Sequence, residues 1–355
     1  MSGQSQSPGP KASILDLSWP ALQAQMAIWR EPGFRAKQIW DWIYRQAVDD
    51  FGEMTNLSKT LRARLSKVYQ ISPLEALDER VSADLLTRKT LLGMADGATI
   101  ESVLMAYDRR QTVCVSSQVG CPVGCAFCAT GQGGFVRNLS AGEIVAQVLH
   151  FERQLREQGQ SVTHVVVMGM GEPLINYDAV WQAVETWNDE RGLKIGARRI
   201  TISTAGYVPG IQQLAQESLQ VGLAVSLHAA GDELRDTLVP LNRTYPLAEL
   251  LDACAEYIAL THRRITVEYA LIDGVNDAVG QAHQLADLLE GMLCHVNLIP
   301  LNPTEGSAYQ PSPSEQVHTF HRALLDRHIQ TTVRLRRGID IQAGCGQLWQ
   351  RGRNE

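Results

Sequence analysis

Six short apolar runs follow one another after Gln111: TVCVS, VTHVVVMG, RRITIST, GLAVSLH, ITVEYALI and CHVNLIPL. They are rich in β-branched residues and nearly continuously apolar, as strands buried on both faces of a parallel sheet are. Stretches with apolar residues at helical spacing, such as AGEIVAQVLHFERQL and GQAHQLADLLEGM, lie between them. Six strand-then-helix units predict an α/β fold of the (β/α)6 partial TIM-barrel kind. In such barrels the chemistry gathers at the C-terminal ends of the strands.

The chain has 355 residues, 45% of them apolar, enough for one large core and a small accessory unit. Before the barrel, Ala21, Ile28, Ile39, Trp40, Ile43, Leu61 and Leu65 recur at helical spacing, broken by Pro32-Gly33 and Asn56. They predict a helical accessory domain over 19–80, preceded by a disordered start over 1–18 that opens MSGQSQSPGPK. Next, LLTRKTLLGMADGATIESVLMAY reads as two strands about an Asp96-Gly97 turn, a β-hairpin linker over 81–110. There Glu101 alternates with Val103 and Met105, so its carboxyl shares an apolar face and is partly desolvated. The barrel is expected over 111–335, closed by a short strand TTVRLR, and a tail over 336–355.

No signal-peptide pattern and no run of eighteen apolar residues occurs, so a soluble cytoplasmic protein without membrane contact is expected. Seven cysteines in a reducing compartment point to metal or redox chemistry rather than a disulfide framework. The net charge of −6 argues against bulk binding to nucleic acid. Two regions reverse that sign: Glu31 to Gln70 holds seven Lys/Arg against five Asp/Glu, and Val317 to Glu355 seven against three. Solvated helix faces account for such runs as readily as an RNA partner does.

Cys121, Cys125 and Cys128 form a Cys-x3-Cys-x2-Cys motif within SSQVGCPVGCAFCATGQGG. That spacing suits three irons of a [4Fe–4S] cube, leaving the fourth iron open. A zinc knuckle would need a fourth ligand, yet no His lies between Cys128 and His150 and the next cysteine is Cys254. Gly169-Met170-Gly171-Glu172-Pro173 follows a strand directly, so its glycines allow close backbone approach to a ligand or simply make a strand-end turn. Ser203, Ser226, His228 and Asn302 end other strands, as turn chemistry or as donors and acceptors facing the same cavity. Cys114 reads as a small buried residue or a functional thiol. Cys345, between Gly344 and Gly346, is an incidental thiol or one on an easily reshaped loop.

Taken in order, CVSSQVGCPVGCAFCATG, GFVRNLS, VVMGMGEPL, LAVSLHA, NLIPLNP and AGCGQL closely resemble the RlmN/Cfr family of dual-specificity radical-SAM RNA methyltransferases, from about Pro32 to Trp349. The resemblance implies a [4Fe–4S] cluster on Cys121, Cys125 and Cys128, its open iron holding S-adenosylmethionine. Gly171, Glu172, Ser203, Ser226, Leu227, His228 and Asn302 match the family's S-adenosylmethionine contacts. Cys345 matches the cysteine that becomes methylated, Cys114 the one that later pairs with it in a transient disulfide, and Glu101 the proton acceptor. The family acts on adenosine 2503 of 23S rRNA, and RlmN members also on adenosine 37 of some tRNAs.

The implied route follows from the base. Carbon 2 of adenine is electron-poor and will not attack a methyl sulfonium, whereas a thiolate will. One S-adenosylmethionine therefore methylates Cys345, and a second, cleaved with an electron from an external donor, yields the radical that activates that methyl group. After addition to the base, Glu101 removes the ring proton from within hydrogen-bond reach at the barrel mouth, and Cys114 attacks the Cys345 sulfur to release product. Phe34, Arg35, Lys37, Trp40 and Arg45 are the candidate grip on RNA. Nothing requires more than a monomer. The rival readings are Cfr-like methylation of carbon 8, a radical-SAM enzyme for a peptide or small molecule, and a catalytically silent iron–sulfur RNA-binding factor.

Overall fold

A computed structural model describes residues 11–304 and 307–349. The accessory unit is built on α1 (Trp19–Ile28), α2 (Phe34–Trp40) and α3 (Lys59–Val68). Ser18 and Ser58 cap α1 and α3, their hydroxyls accepting the Ala21 and Leu61 N–H groups. Leu22, Met26, Ile39, Trp40, Leu61 and Leu65 form the buried face that holds these short helices together, because helices of this length are marginal without tertiary packing.

One ten-stranded sheet, its strands side by side in chain order, forms the rest of the frame. β1 (Glu75–Val81), β2 (Thr87–Gly93) and β3 (Thr99–Tyr107) make an antiparallel meander that continues into β4 (Arg110–Cys114). From β4 onward every pairing is parallel, through β5 (His164–Val167), β6 (Ile200–Thr204), β7 (Gly222–Ser226), β8 (Ile265–Leu271), β9 (Cys294–Pro300) and β10 (Thr331–Val333). The six expected barrel strands are present, and β10 adds a seventh parallel strand.

Helices α4 (Ala141–Arg156), α5 (Tyr177–Asn188), α6 (Val208–Ala215), α7 (Asp232–Leu238), α8 (Leu247–Thr261), α9 (Val279–Leu288) and α10 (Ser314–Asp326) fill the connections. A reciprocal Ser140–Glu143 capping box starts α4, whose Ile144, Val145, Val148, Leu149 and Phe151 are buried. Among the described residues no helix is long and apolar enough to cross a membrane.

Two expected boundaries move. The start is ordered from Ala12: Ala12–Ser13 pairs with Tyr69–Gln70, Ile14 and Leu15 are buried, and Asp16 accepts the Gly142 N–H at 2.7 Å. Two buried aliphatics and one helix-capping carboxylate anchor a segment too short to show periodicity; residues 1–10 lie outside the described residues. The helical unit stops at Val68, and Glu75–Val81 is a strand rather than its continuation. That strand is exposed along its length and carries Glu75, Asp78, Glu79 and Arg80, the charged sequence of a sheet edge. The linker is thus a three-stranded meander continuous with the barrel sheet, not a lone hairpin.

Candidate active site

The chain leaving β4 is stitched to the chain leaving β5. Buried Gln147 of α4 accepts the Ser116 N–H at 2.7 Å and donates to the Ser116 carbonyl at 2.9 Å. The Ser116 hydroxyl accepts the Met170 N–H and donates to the Glu101 carbonyl. Gly171 has φ +104°, and a Cβ there would lie 2.6 Å from Gln118 Cβ, so no other residue fits without moving the backbone. Gln118 in turn accepts the Glu172 N–H at 2.8 Å. These bonds set the cysteine loop beside the Gly169–Pro173 turn.

A cavity of about 160 Å³ opens at these strand ends. Cys121, Cys125, Cys128, Gly171, Glu172, Ser203, Ser226, His228, Asn302 and Cys345 all line it. Leu227 does not; it is buried behind the wall, its N–H donating to the Glu268 carbonyl. His228, in the left-handed region at φ +61°, accepts the Ala270 N–H on Nδ1, which assigns its ring proton to Nε2. Asn302 Oδ1 is buried and has no hydrogen-bond partner among the described residues, an acceptor awaiting a donor.

Burial dominates the electrostatics. It pushes the Cys121 thiol up to about 12, Cys125 well above its usual range and Cys128 upward. Metal binding must therefore displace protons from these thiols. Glu172 is pushed up to about 7 by burial, although the Ala205 and Leu174 N–H groups donate to its carboxylate. Cys121, Cys125 and Cys128 share one cavity wall, an arrangement that fits a cluster in which each sulfur binds a different iron.

The tail crosses the cavity mouth and is tied to three elements. Ala129 N–H and the Thr130 hydroxyl donate to the Gly346 and Leu348 carbonyls. Asn302 donates to the Cys345 carbonyl at 3.2 Å, and a Cβ on Gly344 would sit 2.5 Å from Asn302 Nδ2, so this contact demands glycine. Trp349 N–H donates to Glu101, and Lys89 Nζ to the Gln342 carbonyl.

Cys114 is absent from the main cavity. It lines an adjoining cavity of about 40 Å³ together with Cys345, Asn302 and Arg334. Burial, then the Cys345 sulfur, pushes Cys114 up to about 12. Glu101 lines neither cavity: it is buried, with Lys89 Nζ 2.9 Å from one carboxylate oxygen and Trp349 N–H on the other.

Two further cavity residues escaped sequence reading. Glu268 lines the wall, accepting a hydrogen bond from Asn297 at 2.8 Å, and burial raises its pKa. Arg334 lines both cavities, and the Cys345 sulfur, then Glu268, hold its guanidinium above the usual range. A lone carboxylate inside ITVEYALI was the available signal for Glu268; Arg334 was submerged in the basic run VRLRRG. One expected RNA contact is corrected. Trp40 is 2% exposed and packs edge-on against Trp19 at 5.5 Å, because it sits on the inner face of α2. Phe34 and Lys37 remain exposed.

A parallel partial barrel with three cysteines and a glycine-rich turn at one cavity defines a radical-SAM enzyme. A family model described as Radical SAM superfamily matches residues 115–286, and one described as ribosomal RNA large subunit methyltransferase N-terminal domain matches 12–71. A relative from Halalkalibacterium halodurans, named probable dual-specificity RNA methyltransferase RlmN, is 47% identical over 347 residues, 98% of this chain and 96% of the relative. Another so named, from Desulforamulus reducens, is 48% identical over 341 residues, 96% and 97% of the two chains. The crystal structure of a radical SAM methyltransferase from Sphaerobacter thermophilus superposes with a TM-score of 0.93 at 52% identity, covering 96% of this chain and 99% of that one. The chain belongs to the RlmN family of dual-specificity radical-SAM RNA methyltransferases.

Proposed function

We propose that this enzyme methylates carbon 2 of adenosine 2503 in 23S rRNA, and of adenosine 37 in some tRNAs, through a methyl group carried on Cys345. One observation carries the reading: among the described residues Cys345 is the only cysteine that lines both cavities. It can meet a methyl donor beside Cys121, Cys125 and Cys128 on one side and Cys114 on the other.

A [4Fe–4S] cluster on those three cysteines, with S-adenosylmethionine beside it, would supply a 5′-deoxyadenosyl radical. Gly171, Glu172, Ser203, Ser226, His228 and Asn302 are the wall residues offered to S-adenosylmethionine, with the Asn302 acceptor and the His228 Nε2–H as donor and acceptor pair; Leu227 supports that wall from behind.

Cys345 accepts the methyl group of one S-adenosylmethionine by displacement and holds it while a second is consumed. Once the activated carbon has joined the base, the adduct gives up one electron, which the oxidised cluster would take back, and Glu101 takes the ring proton, which requires it to exchange a present partner. The Cys114 thiolate then attacks the Cys345 sulfur; the sulfur–carbon bond breaks, its electron pair and a proton complete the methyl group on the base, and the RNA leaves behind a transient disulfide that an external donor must reduce. The enzyme works as a monomer in the cytoplasm.

The test is nucleoside mass spectrometry of a 23S rRNA fragment, and of tRNA, after anaerobic incubation with iron-loaded protein, S-adenosylmethionine and a reductant. The expected product is 2-methyladenosine; 8-methyladenosine would move the enzyme to Cfr-like chemistry, and neither product with an intact cluster would overturn the reading.

A further inference from the structure

Arg235 of α7 is fully buried, and its guanidinium spans the back of the cavity wall. Nη2 donates to the Ala205 carbonyl at 2.7 Å and the Ser226 carbonyl at 3.2 Å, Nε to the Leu227 carbonyl at 3.0 Å. Nη1 donates to Asn242 Oδ1 at 2.7 Å, and Asn242 is braced by Asp232 and Asp236. Among the described residues no carboxylate lies within ion-pair distance of this guanidinium, so its partners are neutral. Burying a cation without a counter-ion is costly, and burial pulls its pKa down to about 10. Such a group persists where the geometry it imposes is needed.

Three features of the site meet at α7, two of them on this side chain. Ala205 follows β6, and its N–H donates to Glu172 at 2.7 Å. Ser226 and Leu227 end β7 and lead into His228. The cysteine loop docks on α7 itself: Ala126 N–H donates to the Leu238 carbonyl at 3.1 Å, and Val123 and Phe127 share an apolar cluster with Leu238 and Val239. The turn is also tight. Gly206 has φ +109°, and a Cβ there would lie 3.1 Å from Arg235 Nη2.

We propose that Arg235 is a positioning residue that holds the ends of β6 and β7 in register with the cysteine loop, and that its charge, lying behind the wall of the cavity that the three cysteines line, favours the reduced form of the cluster. The inference rests on the three cysteines as cluster ligands. A planar fork can hold three carbonyls and an amide at once, which an ammonium cannot, and a buried positive charge near a cluster raises its reduction potential.

The experiment compares the full-length, anaerobically iron-loaded wild type with Arg235→Lys, Arg235→Gln and Asn242→Ala. Iron content, the S-adenosylmethionine dissociation constant by equilibrium dialysis, and the cluster midpoint potential by redox titration are measured. Both Arg235 variants should weaken S-adenosylmethionine about tenfold. Only the Gln variant should shift the potential to a more negative value, since Lys keeps the charge. Asn242→Ala removes one bond of the fork and should weaken binding less, with the potential unchanged. A role in stability alone would lower the melting temperature but leave the affinity and potential of the folded fraction at wild-type values, and that result overturns the proposal. If neither Arg235 variant folds, wild-type affinity in Asn242→Ala overturns it instead. A wild type that loads no [4Fe–4S] cluster would overturn the site reading, and this inference with it.

Discussion

Lys89 and Glu101 form a buried ion pair, 2.9 Å apart with both side chains 4% exposed, and between them they hold the tail on either side of Cys345. Lys89 stands opposite Val103 in the β2–β3 register, so Glu101 is its diagonal neighbour. Lys89 also takes the Gln342 carbonyl and Glu101 the Trp349 N–H, three residues before and four after Cys345. The pair thus joins the meander to the loop that carries Cys345.

Glu101→Gln keeps an acceptor for Trp349 and removes the carboxylate proposed as the base. RNA methylation should fall at least about 100-fold, while methylation of Cys345 itself persists, both read by mass spectrometry. Loss of the counter-charge to Lys89 should cost about 3 kcal/mol in denaturant unfolding. Wild-type RNA turnover in this variant would remove Glu101 from the base role.

Cys345→Ala should abolish both protein and RNA methylation. Cys114→Ala should instead accumulate a covalent protein–RNA adduct, visible as a shifted band on denaturing gels. Because burial holds Cys114 up to about 12, its thiolate is scarce at neutral pH. The rate of adduct resolution should rise roughly tenfold per pH unit between 7 and 9; a flat profile would exclude thiolate attack as the limiting step.

His228 makes stability depend on pH. Burial, then Arg235, holds its imidazole down at about 3, whereas the unfolded chain takes up that proton near 6.5. Its contribution is therefore complete above pH 6.5 and is lost as pH falls toward 3, a range on the order of 5 kcal/mol. In guanidinium unfolding of the metal-free chain, the difference between wild type and His228→Asn should narrow by about 2 kcal/mol from pH 7 to pH 5. A constant difference would contradict the depressed value.

The accessory unit separates two aromatic roles. Phe34 is 57% exposed with the Arg35 guanidinium over its ring, and Phe34→Ala should weaken binding of an rRNA fragment about tenfold without changing the melting temperature. Trp40→Ala should cost about 3 kcal/mol or more of stability. Equal RNA affinity in Phe34→Ala at low salt would exclude this face from the interface.

Local pattern carried far in this chain. The parallel strands were legible because residues buried on both faces must be apolar, and the shared wall of Cys121, Cys125 and Cys128 because three thiols within eight residues cannot be carried far apart. Ser203, Ser226 and Asn302 were legible as strand ends, since such ends face one mouth. Edge strand β1 was not, because solvent on both sides erases the apolar alternation that marks a strand. Trp40 carries two readings in the sequence, a place on the apolar helical face with Ile39 and Ile43 and a place in the RNA grip, and burial leaves only the first.

Sequence alone therefore determined what is local: the strand–helix order, the cysteine spacing, the glycines that a tight turn requires. Only the tertiary structure decided what is separated along the chain. Glu101 meets Trp349 across 248 positions and Lys89 meets Gln342 across 253, and Arg235 reaches the carbonyls of two strand ends through the back of the wall. Such partners are selected by burial, which makes every polar group find whichever neighbour the packing brings near, and no spacing rule records that choice.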